Sequence, residues 1–169
     1  MLKKVFLILL TLALVGCSAG TVSTEEVSAE FQRDFSCKVA AACGGDETEM
    51  DFEKSGGSLS FKITSPKELA GLEIEIEGDK MTAEFEEMKT EINFSALPKG
   101  GALRLFKRLI ETLALPDEYE VRQRGGEIIA VGKDFSASLE PGSFGLLSAR
   151  FPDENTEFTF SDWAFFEEK

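Results

Sequence analysis

The sequence contains no histidine, and this absence removes several kinds of site at once. Catalysis by Ser-His-Asp or Cys-His groups needs an imidazole as general base, so neither mechanism is open to this chain. A zinc site would need histidines or several cysteines, and the 169 residues include only three cysteines. Since nothing else amounts to a catalytic signature, we expect a protein that is not an enzyme and holds neither metal nor cofactor.

Basic residues are scarce as well. The chain carries 18 Lys and Arg against 31 Asp and Glu, which gives a net charge of -13. Such a field repels nucleic acid and anionic lipid headgroups, so we exclude a nucleic-acid partner. A chain of this length suits one domain with a single core, and 15 phenylalanines supply the bulk of that core.

The sequence has no hydrophobic run long enough to span a bilayer, which needs about 20 apolar residues. Its longest run covers residues 5–15, after Lys3 and Lys4 and before the small residue Gly16. A basic start, a short apolar core and a small residue are typical of a secretory signal that is removed.

The residues that close this run are those of a lipid-attachment site. They are Leu14, Val15, Gly16 and Cys17. The segment resembles the signal of bacterial lipoproteins, which implies cleavage before Cys17, a diacylglycerol on its thiol and a fatty acid such as palmitate on its amino group. Two or more acyl chains anchor a protein stably. We therefore predict a signal peptide (1–16), a lipidated cysteine with its tether (17–29) and a domain (30–169) on the extracytoplasmic face of the cell membrane. The alternatives to a lipoprotein signal are an ordinary secretory signal, in which Cys17 is incidental, and a buried N-terminal helix.

The tether contains one local signal. Ser23 and Glu26 have the spacing of a capping box, in which each side chain satisfies a backbone amide at the start of a helix. A short helix and a disordered linker are both compatible with this segment.

The other two cysteines lie six residues apart in a segment that alternates like a strand. A strand rises about 3.3 Å per residue and would separate Cys37 from Cys43 by about 20 Å, whereas a disulfide needs Cα atoms within about 7 Å. We expect both to be unpaired and to pack as small apolar residues.

From Phe31 onward apolar residues recur at every second position, which predicts strands with one buried face. The clearest pair is 72–77 and 81–85, separated by Gly78 and Asp79 and expected to form a hairpin. The other face of this pair is so acidic that it must lie in water. The pattern therefore predicts an antiparallel sheet that is covered on one side only.

The period changes between Pro98 and Pro116. There the apolar residues fall at spacings of three and four, and they are Leu103, Phe106, Leu109, Ile110 and Leu113. This spacing predicts an amphipathic helix. The fold class is therefore mainly β (α+β): an antiparallel meander of about ten or eleven strands, curled as a half-barrel around one amphipathic helix.

This arrangement resembles the half-barrel of the outer-membrane lipoprotein carrier and its relatives, which include anchored mycobacterial lipoproteins and a periplasmic sigma-factor regulator. The segment 61–72, followed by Gly78 and Asp79, is also similar to uncharacterised small lipoproteins of clostridia-type bacteria. The carrier itself is soluble, whereas this chain has an anchoring signal. Neither resemblance supplies catalytic residues.

Two functions follow. The concave face could hold a lipid or another hydrophobic ligand, and the positions expected to line it are Ile74, Ile76, Phe85 and Phe106. Alternatively, the helix fills that face and the domain docks a protein of the cell envelope through its acidic face or an open strand edge. A cavity of a few hundred Å³ would support the first function, and a close-packed interior would support the second.

Replacing Cys17 with serine is expected to abolish fatty-acid labelling of the protein, because the thioether must form on that residue before the signal is cleaved. Growing cells in a fatty-acid analogue measures the label. A Cys43→Ser variant serves as the matched control and should keep it. Equal labelling of the Cys17→Ser protein would refute the anchor.

Overall fold

The computed structural model describes residues 22–166, and these form one sheet of eleven antiparallel strands with two helices on its concave side. In chain order the elements are α1 (Thr24–Gln32), β1 (Phe35–Cys43), β2 (Asp46–Ser55), β3 (Ser58–Ser65), β4 (Glu73–Glu77), β5 (Lys80–Phe85), β6 (Met88–Asn93), α2 (Ala102–Leu113), β7 (Tyr119–Arg124), β8 (Glu127–Gly132), β9 (Ser136–Leu139), β10 (Leu146–Phe151) and β11 (Thr156–Phe165). Short 3₁₀ turns flank α2 and precede β11.

The sheet consists of two meanders joined by one long-range pairing. Its strand order is β6-β5-β4-β3-β2-β1-β11-β10-β9-β8-β7, so β1 and β11 meet at the centre while β6 and β7 form the two edges. Val39 of β1 lies opposite Phe160 of β11 in this pairing. The connection from β6 to β7 must run from one edge to the other, and α2 lies in that connection.

Alternating burial gives the sheet one apolar face. In β4 the glutamates are exposed and Ile74 and Ile76 are buried, and β1 and β3 alternate in the same way. The predicted fold class is confirmed, including the hairpin between β4 and β5. Two helices rather than one cover the concave side.

The additional helix is α1, and it begins with the capping box. The Glu26 amide donates to Ser23 Oγ at 3.3 Å, and the Ser23 amide donates to Glu26 Oε2 at 2.9 Å. Phe31 was expected on the first strand but is fully buried in this helix. The helix includes residues 24–29 of the segment that was expected to be a tether (17–29), and its buried residues are Val27, Ser28 and Phe31.

Side-chain hydrogen bonds tie α1 to the far end of the sheet. The Tyr119 hydroxyl of β7 donates to the Thr24 carbonyl at 3.0 Å and lies 2.8 Å from Ser28 Oγ. Gln32 Nε2 donates to the Ala114 carbonyl, just after α2, at 3.1 Å. Burial raises the pKa of Tyr119, which keeps its hydroxyl a neutral donor.

The C-terminal end of α1 is capped by a lysine from the sheet. Lys54 Nζ of β2 donates to the carbonyls of Phe31 at 3.0 Å, Gln32 at 2.9 Å and Arg33 at 2.7 Å. The last carbonyls of a helix have no partner within the helix, so one ammonium group satisfies three of them. Partial burial lowers the pKa of Lys54.

Both cysteines of the described residues are free, as predicted. Cys37 is buried on the concave side of β1, and burial raises the pKa of its thiol. It is therefore a packing residue and not a nucleophile. In residues 22–166 no helix combines the length and the apolar character needed to cross a membrane.

Replacing Lys54 with methionine is expected to lower the free energy of unfolding by about 1 to 2 kcal/mol, because three helix carbonyls lose their donor while the apolar stem is kept. Lys62→Met is the matched control: Lys62 pairs with Glu73 on the exposed face, so its loss should be under about 1 kcal/mol. Urea denaturation measures both. Equal losses would contradict the capping role.

Candidate functional site: the concave face

The four positions predicted to line a ligand site all lie on the concave side of the sheet. Ile74 and Ile76 are 7% and 1% exposed, and Phe106 is 1% exposed. Protein atoms therefore cover these three side chains. Phe85 is half-buried near the β6 edge. The structure thus brings the predicted residues to one face, and that face is filled over most of its width.

The side chain of Phe106 fills the centre of the concave face. Its ring centroid lies 4.7 Å from that of Phe52, 5.4 Å from Phe61, 5.6 Å from Phe158 and 5.9 Å from Phe160. Three of these contacts are edge-to-face, a favoured geometry for aromatic pairs. One ring thus joins β2 and β3 to β11, across the central pairing of the sheet.

The rest of α2 continues this packing on both sides of Phe106. Its buried residues are Leu105, Phe106, Leu109, Ile110 and Leu113. Leu103, which the spacing assigned to the buried stripe, is only half-buried. At the rim, Arg108 pairs with Asp134 at 2.8 Å and Glu154 at 3.4 Å.

A second aromatic group closes the α1 end of the concave face. The Trp163 ring lies 4.6 Å from that of Phe35 and stacks on Phe165 at 5.7 Å. Its Nε1 donates to the Leu146 carbonyl at 2.6 Å. Trp163 points inward because β11 carries an irregularity at Asp162, whose φ is 54°. No sequence signal revealed this bulge, so strict alternation would have placed Trp163 on the outer face.

The described grooves lie on the opposite, outer face of the sheet. The larger has a volume of about 570 Å³ and the other about 480 Å³, and Lys38 and Asp51 line both. Charged side chains make up most of the lining of the larger groove, whereas the lining of the smaller one has three, Lys38, Glu49 and Asp51. Lys38 pairs with Asp162 at 2.7 Å and Lys62 pairs with Glu73 at 2.7 Å. Both grooves are open to solvent, and charged side chains lie along them.

Titratable groups do not converge on a reactive centre in the described part of the chain. Residues 22–166 contain no cluster of cysteine, aspartate and glutamate placed to hold a metal ion. The raised pKa values of Cys37 and Tyr119 both arise from burial. They reflect packing and not an activated group.

Comparison with known proteins identifies the fold of this chain but does not assign it to a family. No protein-family model matches the chain, and no curated protein matches it either. Among solved structures, an uncharacterised conserved protein from Thermus thermophilus is similar with a TM-score of 0.53 at 7% identity, over 85% of each chain. The two proteins share one fold.

Two further solved structures have lower scores. A LolA superfamily protein from Nitrosomonas europaea has a TM-score of 0.44 at 14% identity, over 86% of this chain and 93% of that one. A structure of the CwlD amidase from Clostridioides difficile in complex with the GerS lipoprotein has a TM-score of 0.40 at 15% identity, over 90% of this chain and 98% of that one.

Phe106→Ala is expected to lower the free energy of unfolding by about 3 to 5 kcal/mol, because the removed ring leaves a cavity between the helix and both halves of the sheet. Glu111→Ala on the exposed side of the same helix is the control and should cost under about 1 kcal/mol. Chemical denaturation compares the two. A small loss for Phe106→Ala would mean that the concave face is open around this ring.

Proposed function

We propose that this protein is a non-catalytic lipoprotein of the cell envelope, anchored through Cys17 on the extracytoplasmic face of the membrane, whose half-barrel domain docks a protein partner. The observation that carries the proposal is the filled concave face. A lipid site needs an apolar cavity of roughly 300 Å³ or more, and the apolar side of this sheet is instead packed against α1 and α2.

The packing argues against a passive lipid cup. Phe106 contacts aromatic rings from β2, β3 and β11, and protein atoms cover Ile76, which is 1% exposed. An acyl chain could enter only if α2 moved away from the sheet. That movement would expose the five buried residues of the α2 stripe to water, and it would cost several kcal/mol at about 25 cal/mol per Å².

The geometry of the anchor supports a docking role close to the membrane. If Cys17 carries the lipid, the chain from Cys17 to Thr24 can span at most about 25 Å. The domain would then stay near the bilayer. Its acidic surface repels anionic headgroups, which would leave the sheet available to proteins.

A fluorescent fatty acid tests the proposal against the lipid-carrier alternative. The chain from Ser18 onward, which contains every helix and strand of the structure, should show no saturable uptake at micromolar probe. Ile74→Trp should lower the free energy of unfolding by about 1 to 3 kcal/mol, because a filled wall has no room for an indole. Saturable uptake by the wild type, blocked by a stably folded Ile74→Trp protein, would establish the lipid carrier instead.

Native mass spectrometry supplies the direct readout of docking. The protein is isolated from membranes of its own host after mild cross-linking. We expect a species whose added mass is that of another protein. A species carrying only lipid beyond the anchor would contradict docking.

A further inference from the structure

The strand β6 is an open edge of the sheet. Within residues 22–166 it pairs with β5 and with no other strand. All six of its residues are exposed. At the opposite edge, Tyr119 of β7 is buried and its hydroxyl bonds to α1, while four other residues of β7 are exposed. An uncovered edge strand presents backbone groups to which a further strand can add.

The register shows which backbone groups of β6 are free. The Phe94 amide donates to the Asp79 carbonyl at 2.7 Å, in the same register as the pairing of Ile92 with Met81. Bonded and non-bonded pairs alternate in an antiparallel ladder. Ile92 and Thr90 are therefore the residues whose backbone groups bond to β5. The amides and carbonyls of Lys89 and Glu91, which alternate with them, point toward the open edge.

The concave side of this edge carries two exposed apolar side chains, Met88 and Ile92, with Thr90 between them. Met88 is 68% exposed and Ile92 is 38% exposed, and both share this side with half-buried Phe85. The two helices lie over the centre of the sheet and leave the side chains of Met88 and Ile92 exposed. A further strand with apolar residues at alternate positions would cover them.

The charges near β6 indicate which residues an added strand would carry on its outer side. Residues 73–93 contain eight carboxylates and two lysines. Both lysines are already paired, Lys80 with Glu91 at 3.0 Å and Lys89 with Glu84 at 3.8 Å. On β6 the charged outer side chains are Lys89 and Glu91, and the surface beyond them is net negative, so basic side chains on the outer side of an added strand would be attracted to it.

We infer that the β6 edge is the docking site for an extended segment of a protein partner in which apolar and basic residues alternate. The segment adds to the sheet as a twelfth strand. Its backbone bonds to Lys89 and Glu91, its apolar side chains lie beside Met88 and Ile92, and its basic side chains face the carboxylates. This inference rests on the proposed docking function and names the surface that performs it.

A labelled synthetic peptide tests the inference on the chain from Ser18 onward. The probe has about nine residues, long enough to cover an edge strand, with valine or isoleucine alternating with lysine or arginine. We expect saturable binding by fluorescence anisotropy. Peptides with glutamate in place of the basic residues, or with the same residues in blocks, should bind at least about tenfold more weakly.

Two variants at one position isolate the backbone contact. Glu91→Pro removes an amide that faces the open edge, so it blocks strand addition without removing a bond to β5. Its peptide affinity should fall at least about tenfold. Glu91→Ala loses the same carboxylate but keeps the amide, and its affinity should change by less than about threefold. Equal binding by both variants would overturn the inference.

Amide exchange in the wild-type protein gives a readout that needs no variant. The amides of Lys89 and Glu91 should exchange quickly in the free chain and become protected when the peptide binds. Those of Thr90 and Ile92 should be protected in both states. Protection elsewhere, or self-association of the chain through β6, would overturn the inference and leave docking to another surface. Lipid uptake, which overturns the docking function itself, is measured separately.

Discussion

A sheet with one apolar face must have that face covered, and the architecture of this protein follows from that requirement. In the eleven-stranded sheet, strands such as β1, β3 and β4 alternate between exposed residues on the outer face and buried apolar residues on the inner face. Such a sheet is stable in water only when its inner face is buried. Here the burial comes from two helices and the aromatic rings beneath them. Phe106 is the central contact, since its ring joins both halves of the sheet.

The same requirement determines where recognition can occur. The centre of the inner face is filled by the chain's own side chains around Phe106. The proposed docking function therefore uses the perimeter of the sheet or its outer face. The outer face is charged, and its ion pairs are exposed. The β6 edge combines unpaired backbone groups with the exposed apolar side chains of Met88 and Ile92, and strand addition uses contacts of both kinds.

Much of the fold is predictable from local patterns. The alternation of period two located the strands, and the spacing of three and four located α2, because each pattern arises from the geometry of one element. The acidic face of β4 also identified the side in water. The α1 helix was harder, because the Ser23 and Glu26 spacing occurs equally in linkers and its helical state depends on contacts with Tyr119 and Lys54 from distant strands.

The sequence by itself determined the strands, the amphipathic helix, the one-sided sheet and the absence of imidazole chemistry, since these depend on residue type and short-range spacing. Only the tertiary structure decided whether the concave face was open. That outcome depends on how side chains from α2 fit against β2, β3 and β11, which are far apart in the chain. It also decided the inward position of Trp163 and the exposure of β6, because a bulge and an uncovered edge are properties of strand pairing and not of any single segment.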